Sequence, residues 1–139
     1  MNHLPIEQTK VFQCFVQVAN DGWDLVQPWD GFAKSTLGKQ LVRSLDSIGA
    51  NMAEGGGRYG TTNSLHLFVI ARASARESKY WISVAESRRL VATDKVAELL
   101  SSIDKGTQML NSLINYRRRH KSNEAVRELE SEYNIKPNT

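Results

Sequence analysis

Apolar residues recur at spacings of three and four over four separate stretches of the chain, the period of helices that each bury one face. In the first, about residues 6–27, Phe12, Phe15, Val16, Ala19, Trp23 and Val26 form the stripe expected to face a core, which leaves Val11, Val18 and Leu25 on the far side. After a turn at Pro28-Trp29-Asp30-Gly31-Phe32, Ser35 or Thr36 can cap a second helix running to about Glu54. Its stripe is Leu37, Leu41, Leu45, Ile48 and Met52. The run Gly55-Gly56-Gly57 predicts the stop, because glycine loses most entropy in a helix and readily supplies positive φ at its end. A third helix, about Asn63 to Val91, presents Leu67, Ile70, Ala71, Ser74, Ser78, Trp81 and Ala85, with Leu65 and Val69 on its other side. The fourth opens at Thr93 or Asp94 and carries Val96, Leu99, Leu100, Ile103, Leu110, Leu113 and Ile114 as far as an arginine cluster.

Proline stands only at positions 5, 28 and 137, so the strongest helix breaker is missing from more than a hundred consecutive residues. Four long amphipathic helices joined by short loops predict an all-α, antiparallel up-down-up-down four-helix bundle over residues 1–121. Residues 122–139 form a separate acidic C-terminal tail, read as a short helix or as disordered. The tail holds two basic and four acidic residues, a charge of 2 − 4 = −2, and removing it leaves 16 − 11 = +5 on the bundle. No repeat of fixed period suggests a solenoid.

Composition narrows the class further. With 40% hydrophobic and 24% charged residues, the chain resembles ordinary globular domains. No apolar run approaches the roughly 20 residues that a membrane span needs. The start lacks a basic segment followed by a long apolar one, so a cytoplasmic location is expected. Cys14 is the only cysteine, which excludes a disulfide framework; it is expected in or beside the core. Trp23 and Trp81 fall on apolar stripes and are expected in the core. Trp29, beside Pro28, is expected at the surface or at a subunit contact.

Two polar patterns carry the candidate chemistry. On the second helix Arg43, Ser47, Asn51, Glu54 and Arg58 all lie within about 60° of Gln40 at 100° per residue. This stripe reads either as a solvated face or as a semi-buried network at a subunit boundary, in which Arg43 is held by Glu54 or by a carboxylate of the third helix such as Glu77. The second pattern is basic. Arg72, Arg76 and Lys79 share one face of the third helix, Arg88 and Arg89 follow, and the fourth helix ends in Arg117, Arg118, Arg119, His120 and Lys121. Such cations can neutralise phosphates of RNA or DNA with salt-dependent affinity, although a basic last turn also suits the helix dipole.

The stretch from Gln40 to Arg58, reading Gln-x-x-Arg with Ser47-Ile48 and Asn51-Met52-Ala53-Glu54-Gly55-Gly56-Gly57-Arg58, resembles the signature of the proteins encoded in intervening sequences of bacterial 23S ribosomal RNA genes. Downstream, Phe68 to Glu77 is similar to a second element of that family. Met52 and Ala73 replace the usual Ile and Gly, and the lead-in to helix two is reduced to Phe32-Ala33-Lys34. The resemblance spans about Thr9 to Arg118. It implies a four-helix bundle that often assembles as a homopentamer. It also implies kinship with the accessory protein of diversity-generating retroelements, whose partners are nucleic acid and a reverse transcriptase. It implies no enzymatic activity.

The residues themselves suggest no cofactor and no metal. His3, His66 and His120 have no ligand spacing to one another or to Cys14. The glycine run ends without Gly-Lys-Ser/Thr and follows a helix, where a phosphate loop follows a strand. The leading expectation is therefore a non-enzymatic oligomeric scaffold that binds RNA or DNA backbone, as accessory to a nucleic-acid-processing protein. The alternative is a protein-protein adaptor without nucleic-acid affinity.

Overall fold

The computed structural model describes residues 4–57 and 61–134. Among them the chain is all helical. A single 3-10 turn (Ile6–Gln8) leads into α1 (Lys10–Val26), and Thr9 caps α1 by accepting from the Phe12 amide. A short α2 (Gly31–Ala33) runs through a π-helical turn (Lys34–Gly38) into α3 (Lys39–Gly57). The last two helices are α4 (Thr61–Ser87) and α5 (Thr93–Asn134). The helices α1 and α4 each pack against both α3 and α5, so four antiparallel helices enclose one core, as the apolar periods predict. The helix α5 continues beyond Arg119, and its backbone is helical to Asn134.

The stripe of α3 is as expected, with Leu37, Leu41, Leu45, Ile48 and Met52 all buried. On α1 the expectation is corrected. The buried face is Val11, Phe15, Val18, Gly22 and Val26, while Val16 and Trp23 are exposed. The apolar residues of α1 span so wide an arc that two stripes compete. The one containing Gly22 wins because its bare backbone admits the Leu45 side chain. On α4 the buried face is likewise rotated, to Ser64, Phe68, Ala71, Ala75, Ser78, Ile82 and Ala85, with Ile70 at the surface.

The three tryptophans are also reassigned. Trp29 is buried, and its Nε1 donates to the Leu90 carbonyl at 3.1 Å, tying the α1–α2 turn to the α4–α5 turn. Trp81 is half-buried and donates from Nε1 to Glu77 Oε2 at 2.9 Å. Trp23 is 55% exposed.

Helix ends differ from expectation for identifiable reasons. Asp30, rather than Ser35 or Thr36, caps α2 by accepting from the Ala33 amide at 2.9 Å. The hydroxyls of Ser35 and Thr36 instead donate back to the Phe32 carbonyl. The glycine run does not stop α3, which includes Gly57, and no described glycine has positive φ. Its use is close approach: a Cβ on Gly55 would meet Phe68 at 3.0 Å, and one on Gly56 would collide with Ile6. Residues 58–60, which join α3 to α4, lie outside the described residues.

The helix α4 ends at Ser87, short of Val91, because Arg89 turns left-handed at φ 61°. The Leu90 amide then reaches the Ala85 carbonyl at 2.9 Å, and the Arg89 amide reaches Glu86 at 3.0 Å, the paired bonds that satisfy helix-end carbonyls. Glycine suits this conformation better than a residue with Cβ. Arg89→Gly is expected to stabilise the protein by about 0.5–1 kcal/mol, raising Tm by a few degrees in a calorimetric scan. A lower Tm would mean that the Arg89 side chain contributes more than its backbone strain costs.

Candidate nucleic-acid interface

The basic residues of α4 lie along the seam with α5. Antiparallel packing places Ser64 beside Arg117, Arg72 beside Asn111, and Lys79 beside Asp104. Arg72 Nη1 donates to Asn111 Oδ1 at 2.9 Å, and Lys79 Nζ stands 2.7 Å from Asp104 Oδ1. Both groups of the Lys79–Asp104 pair are substantially exposed, so the pair contributes at most about 1 kcal/mol and leaves the cation open to competition by a phosphate. Arg117 lies with its guanidinium 5.4 Å from the centre of the Phe68 ring and donates to Ser64 Oγ at 3.4 Å. Packing over a buried ring holds this arginine in a fixed direction at the end of the seam.

Arg76, Arg88, Arg89 and Arg119 are exposed and form no ion pair among the described residues. Arg118 is also exposed, and beside it the Tyr116 and His120 rings stack at 5.8 Å. The side chain of Lys121 lies outside the described residues. The structure thus brings Arg72, Arg76 and Lys79 together on one side of α4. Arg88 and Arg89 stand at its C-terminal end and Arg117–Arg119 at the other end of the bundle. From Ser64 to Ser87 the seam measures roughly 35 Å at 1.5 Å per residue.

The polar stripe of α3 faces α4. Arg43 Nη2 stands 3.0 Å from Glu77 Oε2 and 2.9 Å from Gln40 Oε1, and Glu77 also accepts from Trp81. Below it, the Ser47 and Ser74 hydroxyls share a hydrogen bond of 3.0 Å, and Asn51 Nδ2 donates to the Ser47 carbonyl at 2.8 Å. Deeper still, the buried Ser78 hydroxyl donates to Ser44 Oγ at 3.0 Å. Glu54 is exposed, and Arg58 lies outside the described residues. Every buried side-chain nitrogen and oxygen among the described residues has a partner, so the seam sets the register of α3 on α4 without leaving an uncompensated polar group. The Ser44–Ser78 pair was missed in sequence because serine on an apolar stripe reads as a small core residue.

Among the described residues no cluster of His, Cys, Asp and Glu is arranged to hold a metal ion, and no helix is long and apolar enough to cross a membrane. Cys14 Sγ lies 3.5 Å from the Ser102 carbonyl, and burial pushes its thiol pKa up, opposed in part by Lys105. A raised pKa keeps the thiol protonated at neutral pH, the reverse of an activated nucleophile. A groove of about 810 Å3 between α1 and α5 sets Asp21, Asp24 and Glu98 beside Lys95 and Lys105 and so favours neither sign of ligand.

These features define an antiparallel four-helix bundle with a polar seam on one side and a cationic one on the next. The chain belongs to the family of 23S rRNA-intervening sequence proteins, whose model matches residues 7–112. A solved structure from Bacteroides thetaiotaomicron, described as a protein with unknown function from the S23 ribosomal protein family, is similar in fold. It has a TM-score of 0.68 and 21% identity, with 75% of this chain and 97% of that chain covered. No curated protein matches the chain.

Proposed function

We propose that this protein is a non-enzymatic, oligomeric helical scaffold that holds the phosphate backbone of RNA or DNA on the α4–α5 side of the bundle. The observation that carries the reading is the exposed Arg76, which forms no ion pair among the described residues and stands between Arg72 and Lys79 on the α4–α5 side, with the exposed Arg88 and Arg89 beyond one end of that seam and the ring-braced Arg117 and exposed Arg119 at the other. Guanidinium groups on a rigid helix pair suit phosphate oxygens, and contacts of this kind bring affinity with little base specificity. Self-association, in the pentameric form the family resemblance implies, would multiply each weak patch. It is supported by apolar surface at Ile70 and Tyr80 on the outer side of α4, where Tyr80 is 61% exposed. Leu65, Val69 and Leu25 are half-buried against the core and Val11 and Val18 lie in it, so they are not that surface. A scaffold of this kind fits an accessory to a nucleic-acid-processing protein, a reverse transcriptase being the partner that the resemblance suggests.

Electrophoretic retention of RNA and DNA tests the proposal. Retention is expected at low salt and falls as salt rises; the Arg76→Ala/Arg88→Ala/Arg119→Ala variant lowers the log–log salt slope by roughly 2–3, near 0.9 per lost phosphate contact. Absence of retention at low salt overturns nucleic-acid binding. In that case the engagement of Arg72, Lys79 and Arg117 within the bundle favours a protein-protein adaptor, which nuclease-resistant capture of a partner would support. Light scattering that gives a monomer mass overturns the oligomeric part.

A further inference from the structure

On the side of the bundle opposite the α4–α5 seam, α1 meets the π-helical lead-in of α3 at a shallow groove of about 330 Å3. Its floor is apolar, formed by Val26, Gly38 and Val42, and Trp23, Lys34 and Lys39 stand around it. Trp23 is the anomaly. An indole is among the side chains that gain most from burial, yet this one is 55% exposed while Trp29, one loop later, is buried. Neither lysine forms an ion pair or side-chain hydrogen bond among the described residues, and no carboxylate lines the groove. Arg43, at its edge, is held by Glu77.

The π turn explains why both lysines border one groove. At 3.6 residues per turn, positions five apart point about 140° away from each other. Here the Lys39 amide donates to the Lys34 carbonyl, the five-residue bond of a π-helix, which stacks Lys39 over Lys34. Gly38 completes the arrangement, since a Cβ there would come within 2.7 Å of Val26 Cγ1 and hold α3 away from α1.

An exposed indole on an apolar floor, flanked by two free ammonium groups, matches a flat apolar ring linked to anions. We infer that this groove is a subsite for an unpaired nucleotide strand, with one base stacked on Trp23 and the neighbouring phosphates on Lys34 and Lys39. Stacking needs a base released from pairing, so the subsite selects single strands, and because every base has a π-face it does so with little regard to sequence. The inference rests on the nucleic-acid reading above and adds a contact that the α4–α5 arginines do not provide.

Fluorescence anisotropy of the full chain at low salt tests it, with labelled oligouridylate and oligodeoxyuridylate of roughly 12 nucleotides and a duplex of equal length as probes. Trp23→Ala is expected to weaken single-strand binding about tenfold, the loss of one stacked base, and to leave duplex binding unchanged. Trp23→Phe recovers most of that loss, Lys34→Glu/Lys39→Glu reproduces it, and the better of the two single strands identifies the sugar. The Arg76→Ala/Arg88→Ala/Arg119→Ala variant weakens duplex and single strand alike. If Trp23→Ala binds both probes as the parent does, the subsite is overturned while the α4–α5 reading stands; if no probe binds the parent, both fall. A drop in particle mass for Trp23→Ala makes Trp23 a subunit contact and overturns the subsite. Loss of binding to phosphatidylserine vesicles in place of nucleotide strands does the same.

Discussion

Trp29→Ala is expected to destabilise the protein by about 3–5 kcal/mol, whereas Trp23→Ala costs less than about 1 kcal/mol. Both are tryptophans near the end of α1, six positions apart, so the contrast isolates burial from residue type. Trp29 is 7% exposed, touches the region where Gly38 meets Val26, and its Nε1–H satisfies the Leu90 carbonyl from the opposite turn. Truncation opens a cavity where two loops meet and leaves that carbonyl without its partner. A domain of this size holds only about 5–15 kcal/mol in total, so the variant loses a large share of it. Urea unfolding followed by far-UV circular dichroism measures both variants, with the midpoint shifting at constant slope. Equal losses at the two positions would contradict the assignment of Trp29 to the core.

Phe15→Ala is the second large effect, again about 3–5 kcal/mol, because its ring is fully buried between α1 and α5. The ring lies directly on Gly106. A Cβ there would stand 2.7 Å from Phe15 Cζ, 2.9 Å from Cε1 and 3.0 Å from Cε2. Gly106→Ala recovers about 1 kcal/mol of helix propensity but forces a stiff ring to move, so a net loss of order 1 kcal/mol is expected. Combining it with Phe15→Leu, which withdraws the ring edge, should cost less than the sum of the two single losses by more than 0.5 kcal/mol. Strict additivity in the double-mutant cycle would show that ring and glycine do not share the contact.

The share of this arrangement that is legible in the sequence differs from helix to helix. Along α3 and its π-helical lead-in one apolar stripe stands clear of a polar one, and Leu37, Leu41, Leu45, Ile48 and Met52 are buried as the period predicts. The Arg43–Glu77 pair lay among the alternatives that the polar stripe offered, since both residues fall where α3 and α4 are adjacent. On α1, counting apolar side chains favoured Phe12, Val16 and Trp23 over the stripe containing Gly22, because a glycine adds nothing to an apolar count. The same blindness made the Gly55–Gly57 run look like a stop, when Gly55 and Gly56 are sites of close approach to Phe68 and Ile6. The basic residues were visible one by one. Which of them is braced or engaged was not, since Asp104, Asn111 and Phe68 reach Lys79, Arg72 and Arg117 only through the register of one helix on another.

Period and proline placement act locally, so the four helices and the class of bundle were readable from the chain alone, whereas the end of α4 at Ser87 and the run of α5 to Asn134 were not. Packing settled which face of α1 and α4 is inside, which tryptophan is left in water, and that Lys34 and Lys39 share one groove. Those outcomes depend on how side chains from distant positions fill common space, and on a π turn that no apolar period announces.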